Sequence, residues 1–463
     1  LFPSCASPDP GKTRKEEARR CMELLNGAGK EKAGSQAPLS LEECLRLAME
    51  NSFALRKAAL RKEIAALGAK ALSRSLLLPR VDVSLVHMDR SSKPLVETPL
   101  MGRKIRFPVM DKRIRVIRAE ATFPLLDLSR WFLSAQVERG AEIQGYLEEA
   151  VRQGVRAEVT ARYGALAALE ASLPALQARV EADAQRAADA HALRKEGFAL
   201  AQDADAAALA LHRSRDALRS LKREILQARR DLEQALGLPP AGKIRIQSSL
   251  HVDAPRGRLE DLVLHALLHR PELFASDRAL LLKKEKARAA VADFLPKLLL
   301  NFGLQATTDS AQVHKFWAFG TLSAFVNLFE GLGKFSRLKG ARREARLARL
   351  ERTELYGTVI LQVARACKDL QDAREAEARA EEALKLAREE ADKGMRLFRE
   401  GLLRKADLAA LRAGLAGAEA ALAGARAKRA VAAAMLRLAV GPEMKEKKRE
   451  KGPRRTGTGG AEK

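Results

Sequence analysis

His265 and His269 stand four residues apart, a spacing that puts two imidazoles on one helix face, where they could hold a metal ion. A metal site needs further donors, and no acidic or Cys partner is placed with them, so two histidines on a helix surface is the plainer reading. The cysteines Cys5, Cys21, Cys44 and Cys367 show no CxxC spacing, so neither a zinc site nor a disulfide framework is signalled. EGLGKFS (330–336) has the Gly and Lys of a phosphate loop. It lacks the earlier Gly, however, and places Phe335 after Lys334, so it reads as a turn between strand and helix. No Ser/His/Asp or Cys/His constellation is recognisable. The sequence therefore predicts no enzyme, no cofactor and no metal site.

What the chain does carry is punctuation that occurs twice. LRKEGFALAQDAD (193–205) and LFREGLLRKADLA (397–409) each contain Glu-Gly followed at the same distance by Asp: Glu196-Gly197 leads to Asp203, and Glu400-Gly401 to Asp407. A Gly amid helix-forming sequence costs about 1 kcal/mol relative to Ala, so its place calls for a reason. The surroundings repeat as well. LSLEECLRLAMENSFAL is answered by RLEDLVLHALLHRPELF, SLLLPRVDVSLV by ADFLPKLLLNFGL, ATFPLLDLS by SAFVNLFEG, and LGLPP by AVGPE. The offset is roughly 217 positions early and roughly 204 later, and the change falls in one place. The loop from Asp89 to Lys112 is longer than its counterpart near Thr307 to Lys315, as exposed loop tips tolerate.

Each repeat reads helix, strand, loop, strand, very long helix, Gly-marked break, long helix. Residues 41–75 and 259–292 are helical by pattern, and Pro79 and Pro296 sit where helix passes to strand. Leu298, Leu300, Phe302, Leu304 and Ala306 alternate with Leu299, Asn301, Gly303 and Gln305, a period of two with one apolar face. Arg80 to Val86 alternates similarly, and 113–124 and 316–326 are weaker strands. From about 128 to 196 only Pro174 interrupts a helical pattern about 100 Å long, which must lie along other helices. Val151, Val155, Val159, Tyr163 and Leu166 form a stripe repeated as Leu355, Val359, Val363, Cys367 and Leu370.

The 463 residues carry a net charge of +25 and few aromatics (4%). Basic residues are spread among acids, with short runs such as Lys445 to Lys451, and no recognition motif for nucleic acid accompanies them. No apolar run approaches the roughly 20 residues of a membrane-spanning helix. Four strands, two per repeat, leave two open edges and cannot close a barrel alone. Strands facing lipid must be closed, so several chains would have to contribute four each. A soluble four-stranded sheet capped by short helices satisfies the same periodicity.

The order of these motifs resembles the TolC-like outer membrane efflux protein family from about 40 to 441. The resemblance rests on LSLEECLRLAMENS, LLPRVDVS and FLPKLLLNFG, FVNLFEGLGKFSRLKGAR, the paired EGFALAQD and EGLLRKAD, and the two LG/VG helix ends. It implies a mainly α fold with a small β portion. Internally duplicated long-helix hairpins and four strands per chain would assemble as a homotrimer, with an α-barrel tunnel in the periplasm and a twelve-stranded β-barrel in the outer membrane. The function implied is an export duct of a tripartite efflux or type I secretion system, working with a periplasmic adaptor and an inner-membrane transporter, in outer-membrane lipid and without nucleic acid. Gly197, Phe198 and Ala199, and likewise Gly401, Leu402 and Leu403, match the tips where adaptor hairpins dock, although the family often has Val where Glu196 and Glu400 stand. Asp407 matches one of two acidic positions ringing the tunnel entrance in some members; the second is Ala410 here. A soluble coiled-coil scaffold and a basic nucleic-acid-binding helical protein are the competing readings. The expected organisation is a flexible lead-in over 1–38, repeats over 39–254 and 255–441, and a disordered basic tail over 442–463. LFPSC resembles the end of a signal peptide that would leave Cys5 lipidated, with Phe-Pro-Ser a poor lipobox.

Overall fold

Ser40 starts the first repeat. Its hydroxyl accepts the Glu43 amide at 3.3 Å while Glu43 Oε2 accepts the Ser40 amide at 2.8 Å, a reciprocal capping box for α1 (Leu41–Asn51). The computed structural model describes residues 38–442 except 101–102, 248–251 and 328–329, together with 11, 14–19 and 22. Cys5 and nearly all of the tail lie outside the described residues. Residues 14–19 are helical where a flexible lead-in is expected, in keeping with the helix-forming Lys-Glu-Glu-Ala-Arg composition there.

The elements that follow are α2 (Phe53–Leu77), β1 (Arg80–Asp89), β2 (Leu95–Leu100), β3 (Arg103–Pro108), β4 (Arg113–Leu126), α3 (Leu128–Lys195) and α4 (Ala201–Ala235). The second repeat gives α5 (Leu259–His269), α6 (Pro271–Ala292), β5 (Lys297–Thr307), β6 (Phe316–Phe325), α7 (Gly333–Arg399) and α8 (Lys405–Val440). The stretches 41–75 and 259–292 are therefore two helices each, broken at Ser52 and Arg270, both with extended ψ. Pro271 disfavours helical backbone at Arg270. Against each break packs a left-handed glycine of the same repeat: a side chain at Gly237 would collide with the Asn51 carbonyl, and one at Gly441 would crowd Arg270. The 89–112 segment, expected as a loop, contains the β2–β3 hairpin. Its Pro99 and its run of basic residues mask the strand alternation.

Two compact units each draw on both repeats. The first holds 1–57, 149–271 and 356–463. Its core joins Cys44 and Ala48 of α1, Val155, Val159, Tyr163 and Leu166 of α3, and Leu221, Ile225 and Leu232 of α4. Tyr163 is fully buried, and its hydroxyl donates toward the carbonyls of Leu39 (3.0 Å) and Gln247 (2.8 Å), tying down the bridge between Leu39 and Ile246. Burial, with the nearby Cys44, pushes this phenol up to about 12. The matching stripe Val359, Val363 and Leu370 is buried on α7. On α8 an 18-residue stretch is long and apolar enough to cross a membrane, which the sequence reading missed. Its apolarity is spread over many small alanines, of which Ala425, Ala430 and Ala433 lie in a buried seam.

The second unit, 58–148 and 272–355, carries the strands. One antiparallel sheet runs β1-β4-β5-β6 and a separate two-stranded sheet is β2-β3. Among the described residues, the main sheet's two edge strands, β1 and β6, have no further strand paired to them.

Candidate functional site

Register fixes the two faces of the main sheet. Directly opposed residues share a face, and faces alternate along each strand. Val83 opposes Ala119, Ala119 opposes Leu304, and Leu304 opposes Ala318. Val81, Leu85, Ile117, Phe302, Phe316 and Leu322 lie on that same face by alternation. Ser84 opposes Arg118, Arg118 opposes Gln305, and Gln305 opposes Trp317 on the other, which also carries Asp82, Glu120, Asn301 and Thr321.

A water-soluble sheet covers its apolar face. This one leaves it bare: Val83 is 74% exposed and Phe302 48%, whereas on the polar face Gly303, Gln305 and Thr307 of β5 are buried, with Asp82, Arg118 and Thr321 around them exposed. Arg118 donates twice to Gln305 Oε1, at 3.1 and 2.8 Å. The Phe319 ring lies where a side chain at Gly303 would go, so the glycine is required by close approach. Ile117 to Leu125 covers about 26 Å of strand at about 3.3 Å per residue. A barrel tilt of about 40° shortens that to about 20 Å, comparable with the outward apolar band of about 25 Å on transmembrane barrels.

The two Glu-Gly motifs form the same turn twice. Gly197 has φ +83 and Gly401 φ +75. The Phe198 amide donates to the Leu193 carbonyl at 2.8 Å and the Gly197 amide to Arg194 at 3.1 Å; Leu402 and Gly401 repeat this with Leu397 and Phe398 at 2.8 and 3.1 Å. This paired bonding closes a helix on a left-handed residue and satisfies its last carbonyls. Nothing lies within 4 Å of a side chain added at either glycine, so conformation alone demands Gly there.

Apolar side chains crown both turns: Phe198 is 80% exposed and Leu402 72%. Leu200, at 69%, belongs with them and escaped the sequence reading, which stopped at Ala199. Ala199 and Leu403 are half-buried. The Leu403 side chain lies by Gly394, where a methyl group would also strike Leu411, so Gly394 lets α7 and α8 close together below the turn. A lone Gly in a helix was the available signal.

Asp203 and Asp407 sit in the first turns of α4 and α8, where helix N-termini favour negative charge. Asp407 is half-exposed and meets Arg404 Nε at 3.5 Å, so the basic neighbour folds onto it. His265 and His269 stack at 4.2 Å, with Nδ1 atoms directed to the carbonyls of Val440 and His265. Lys334, in the turn that mimics a phosphate loop, donates to the carbonyls of Asp293 (3.0 Å) and Asn327 (2.7 Å).

The sheet thus leaves an apolar face exposed, and the long helices turn back at glycine-capped tips. The sequence model of the outer membrane efflux protein family matches residues 262–442. No curated protein matches this sequence. Among solved structures, the chain is similar to the CmeC outer membrane channel of Campylobacter jejuni, at 16% identity and TM-score 0.72, covering 87% of this chain and 85% of that one. It is likewise similar to the outer membrane protein VceC of Vibrio cholerae, at 14% identity, TM-score 0.69 and coverage of 87% and 96%. The MtrE outer membrane channel of Neisseria gonorrhoeae, solved in its open state, gives 17% identity, TM-score 0.67 and coverage of 86% and 88%. The fold is thus the mainly helical TolC-like channel fold with a small β portion.

Proposed function

We propose that this chain is the outer-membrane duct of a tripartite efflux or type I secretion system. The observation that carries the reading is the inverted sheet: an apolar face left exposed, a polar face buried along β5, and two edge strands unpaired among the described residues. In hydrocarbon an open edge is prohibitive, so β6 of one copy pairs with β1 of the next. Three copies of the four-stranded sheet give twelve strands and a pore; two give eight and a filled lumen. The polar face, with Arg118, Glu120 and Asn301, then lines the pore.

The helices continue into the periplasm as a tunnel, to which the repeats 39–254 and 255–441 contribute equivalent hairpins. At its end the crowns of Phe198 and Leu200, and of Leu402, offer apolar knobs on rigid glycine turns to a periplasmic adaptor. Ala199 and Leu403 support them from below. The adaptor in turn joins an inner-membrane transporter. Three Asp407 carboxylates gather at the entrance, partly neutralised by Arg404, and favour cations there.

The test is assembly and location. The protein should fractionate with the outer membrane and run in mild detergent as a trimer that dissociates only on heating. A stable monomer in detergent-free buffer would overturn the reading.

A further inference from the structure

The β2–β3 hairpin has no counterpart in the second repeat, and its composition departs from the sheet beneath it. Between Asp89 and Arg115 the chain carries eight Lys or Arg against three Asp or Glu, a net charge of +5 within a single excursion. Val96 opposes Phe107 and Thr98 opposes Ile105 on one face. Glu97 opposes Arg106 and Pro99 opposes Lys104 on the other. Val96, Ile105 and Phe107 are between 44% and 47% exposed, so the apolar face is uncovered. Arg106 pairs with Glu97, while among the described residues no carboxylate meets Arg103 or Lys104.

The hairpin is anchored firmly at its base. Val109 donates its amide to the Pro94 carbonyl at 3.0 Å, and Lys93 meets Asp111 at 3.2 Å. The Asp111 amide donates to Asp309 Oδ1 at 3.0 Å and the Ser310 amide to Asp111 Oδ2 at 2.6 Å, clasping the hairpin to the turn between β5 and β6. Below the clasp, the exposed apolar face of the main sheet ends in a row where His87 opposes Arg115 and Asp89 opposes Arg113. Cations therefore border the apolar band at the end remote from α2 and α3.

We propose that the β2–β3 hairpin is a docking surface for the phosphorylated glycolipid of the outer leaflet, its apolar face lying against acyl chains and Arg103 and Lys104 engaging phosphates. The inference rests on the outer-membrane reading above. Charge complementarity selects the occupant. A two-stranded hairpin is marginal by itself, so its apolar face needs a partner. A second copy of the same hairpin, 95–108, would bring +2 against +2, whereas a lipid phosphate beside its acyl chains answers both the charge and the apolar surface.

The experiment uses the purified full-length protein in non-ionic detergent, titrated with fluorescent bisphosphorylated lipid A at low salt. Wild type should bind, and the affinity should fall as salt is raised. Arg103→Gln with Lys104→Gln should bind about thirty-fold more weakly, at about 1 kcal/mol per cation near an anionic surface. Lys222→Gln with Arg223→Gln, an equal charge loss on exposed positions of α4, should keep wild-type affinity. Val96→Ser with Phe107→Ser should weaken lipid A binding without lowering the salt sensitivity. Wild-type binding by the Arg103/Lys104 variant overturns the proposal, as does equal loss in the α4 control. Full competition by inorganic phosphate would identify a free-anion site and likewise overturn it. A hairpin variant that dissociates the trimer while binding lipid normally would point to a second copy instead, and overturn it too. Sedimentation with the outer membrane is measured in parallel, so a protein that locates there but ignores lipid A refutes this inference alone.

Discussion

Val83 offers the sharpest test of the membrane reading, because lipid and water assign opposite consequences to one substitution. It is 74% exposed, opposes Ala119, and sits mid-way along the apolar face of β1. If that face met water, Val83→Lys would change stability by no more than about 0.5 kcal/mol, as surface substitutions do. If it meets hydrocarbon near the bilayer midplane, the cost is about 2–4 kcal/mol per chain, or about thirty- to a thousand-fold in the equilibrium constant. Thr321→Lys serves as the control, since Thr321 is exposed on the polar face opposite Asn301 and would point into the pore. The assay is denaturant-induced unfolding of protein refolded into phospholipid vesicles, followed by loss of the heat-sensitive trimer band. The Val83 variant should shift strongly to lower denaturant while the Thr321 variant stays near wild type. Equal behaviour of the two would refute the assignment of faces, and with it the duct.

Gly197→Val and Gly401→Val each force a β-branched residue into left-handed backbone, at a cost on the order of 1–2 kcal/mol confined to the turns. Adaptor pull-down should weaken with the trimer intact, and undiminished export by the combined variant would refute tip docking. Asp407→Asn should lower the cation preference of the pore and blunt block by multivalent cations. An unchanged reversal potential in asymmetric salt would make Asp407 a surface residue. Tyr163→Phe should cost about 1–3 kcal/mol by leaving the Leu39 and Gln247 carbonyls without their buried donor, read as a lowered unfolding midpoint. The Lys286 and Lys283 ammonium groups, at 2.6 and 2.9 Å, hold the Glu344 carboxyl down to about 2 from an ordinary 4.5. Its contribution is therefore complete above pH 4.5 and lost as pH falls through about 2, and solvent exposure keeps it below about 1 kcal/mol. Glu344→Gln should flatten that acid limb of the stability curve, and an unaltered limb would refute the pairing.

Local physics made much of this legible in the amino-acid order. The duplication, the strand entries after Pro79 and Pro296, the helix from 128 to 195 and the two glycine turns each depend on near neighbours. A period of two or 3.6, a proline's fixed φ and a glycine's left-handed freedom act within a few residues. Alternation in β5 likewise set one apolar face apart from one polar face.

Which face would be covered was beyond the sequence, because alternation is identical whether the apolar side meets a core or lipid. That was decided by Phe319 closing over Gly303 and Arg118 reaching Gln305, contacts between strands distant in the chain. Tertiary contact also decided that Leu403 tucks against Gly394 while Leu402 stands out, and that helices reading as continuous break at Ser52 and Arg270 to receive Gly237 and Gly441. The β2–β3 hairpin depended on it most. Its base is held through Asp111 to Asp309 and Ser310, nearly 200 residues later. No local period records such a clasp, because its free energy resides in groups that meet only once the two repeats have paired through β4 and β5.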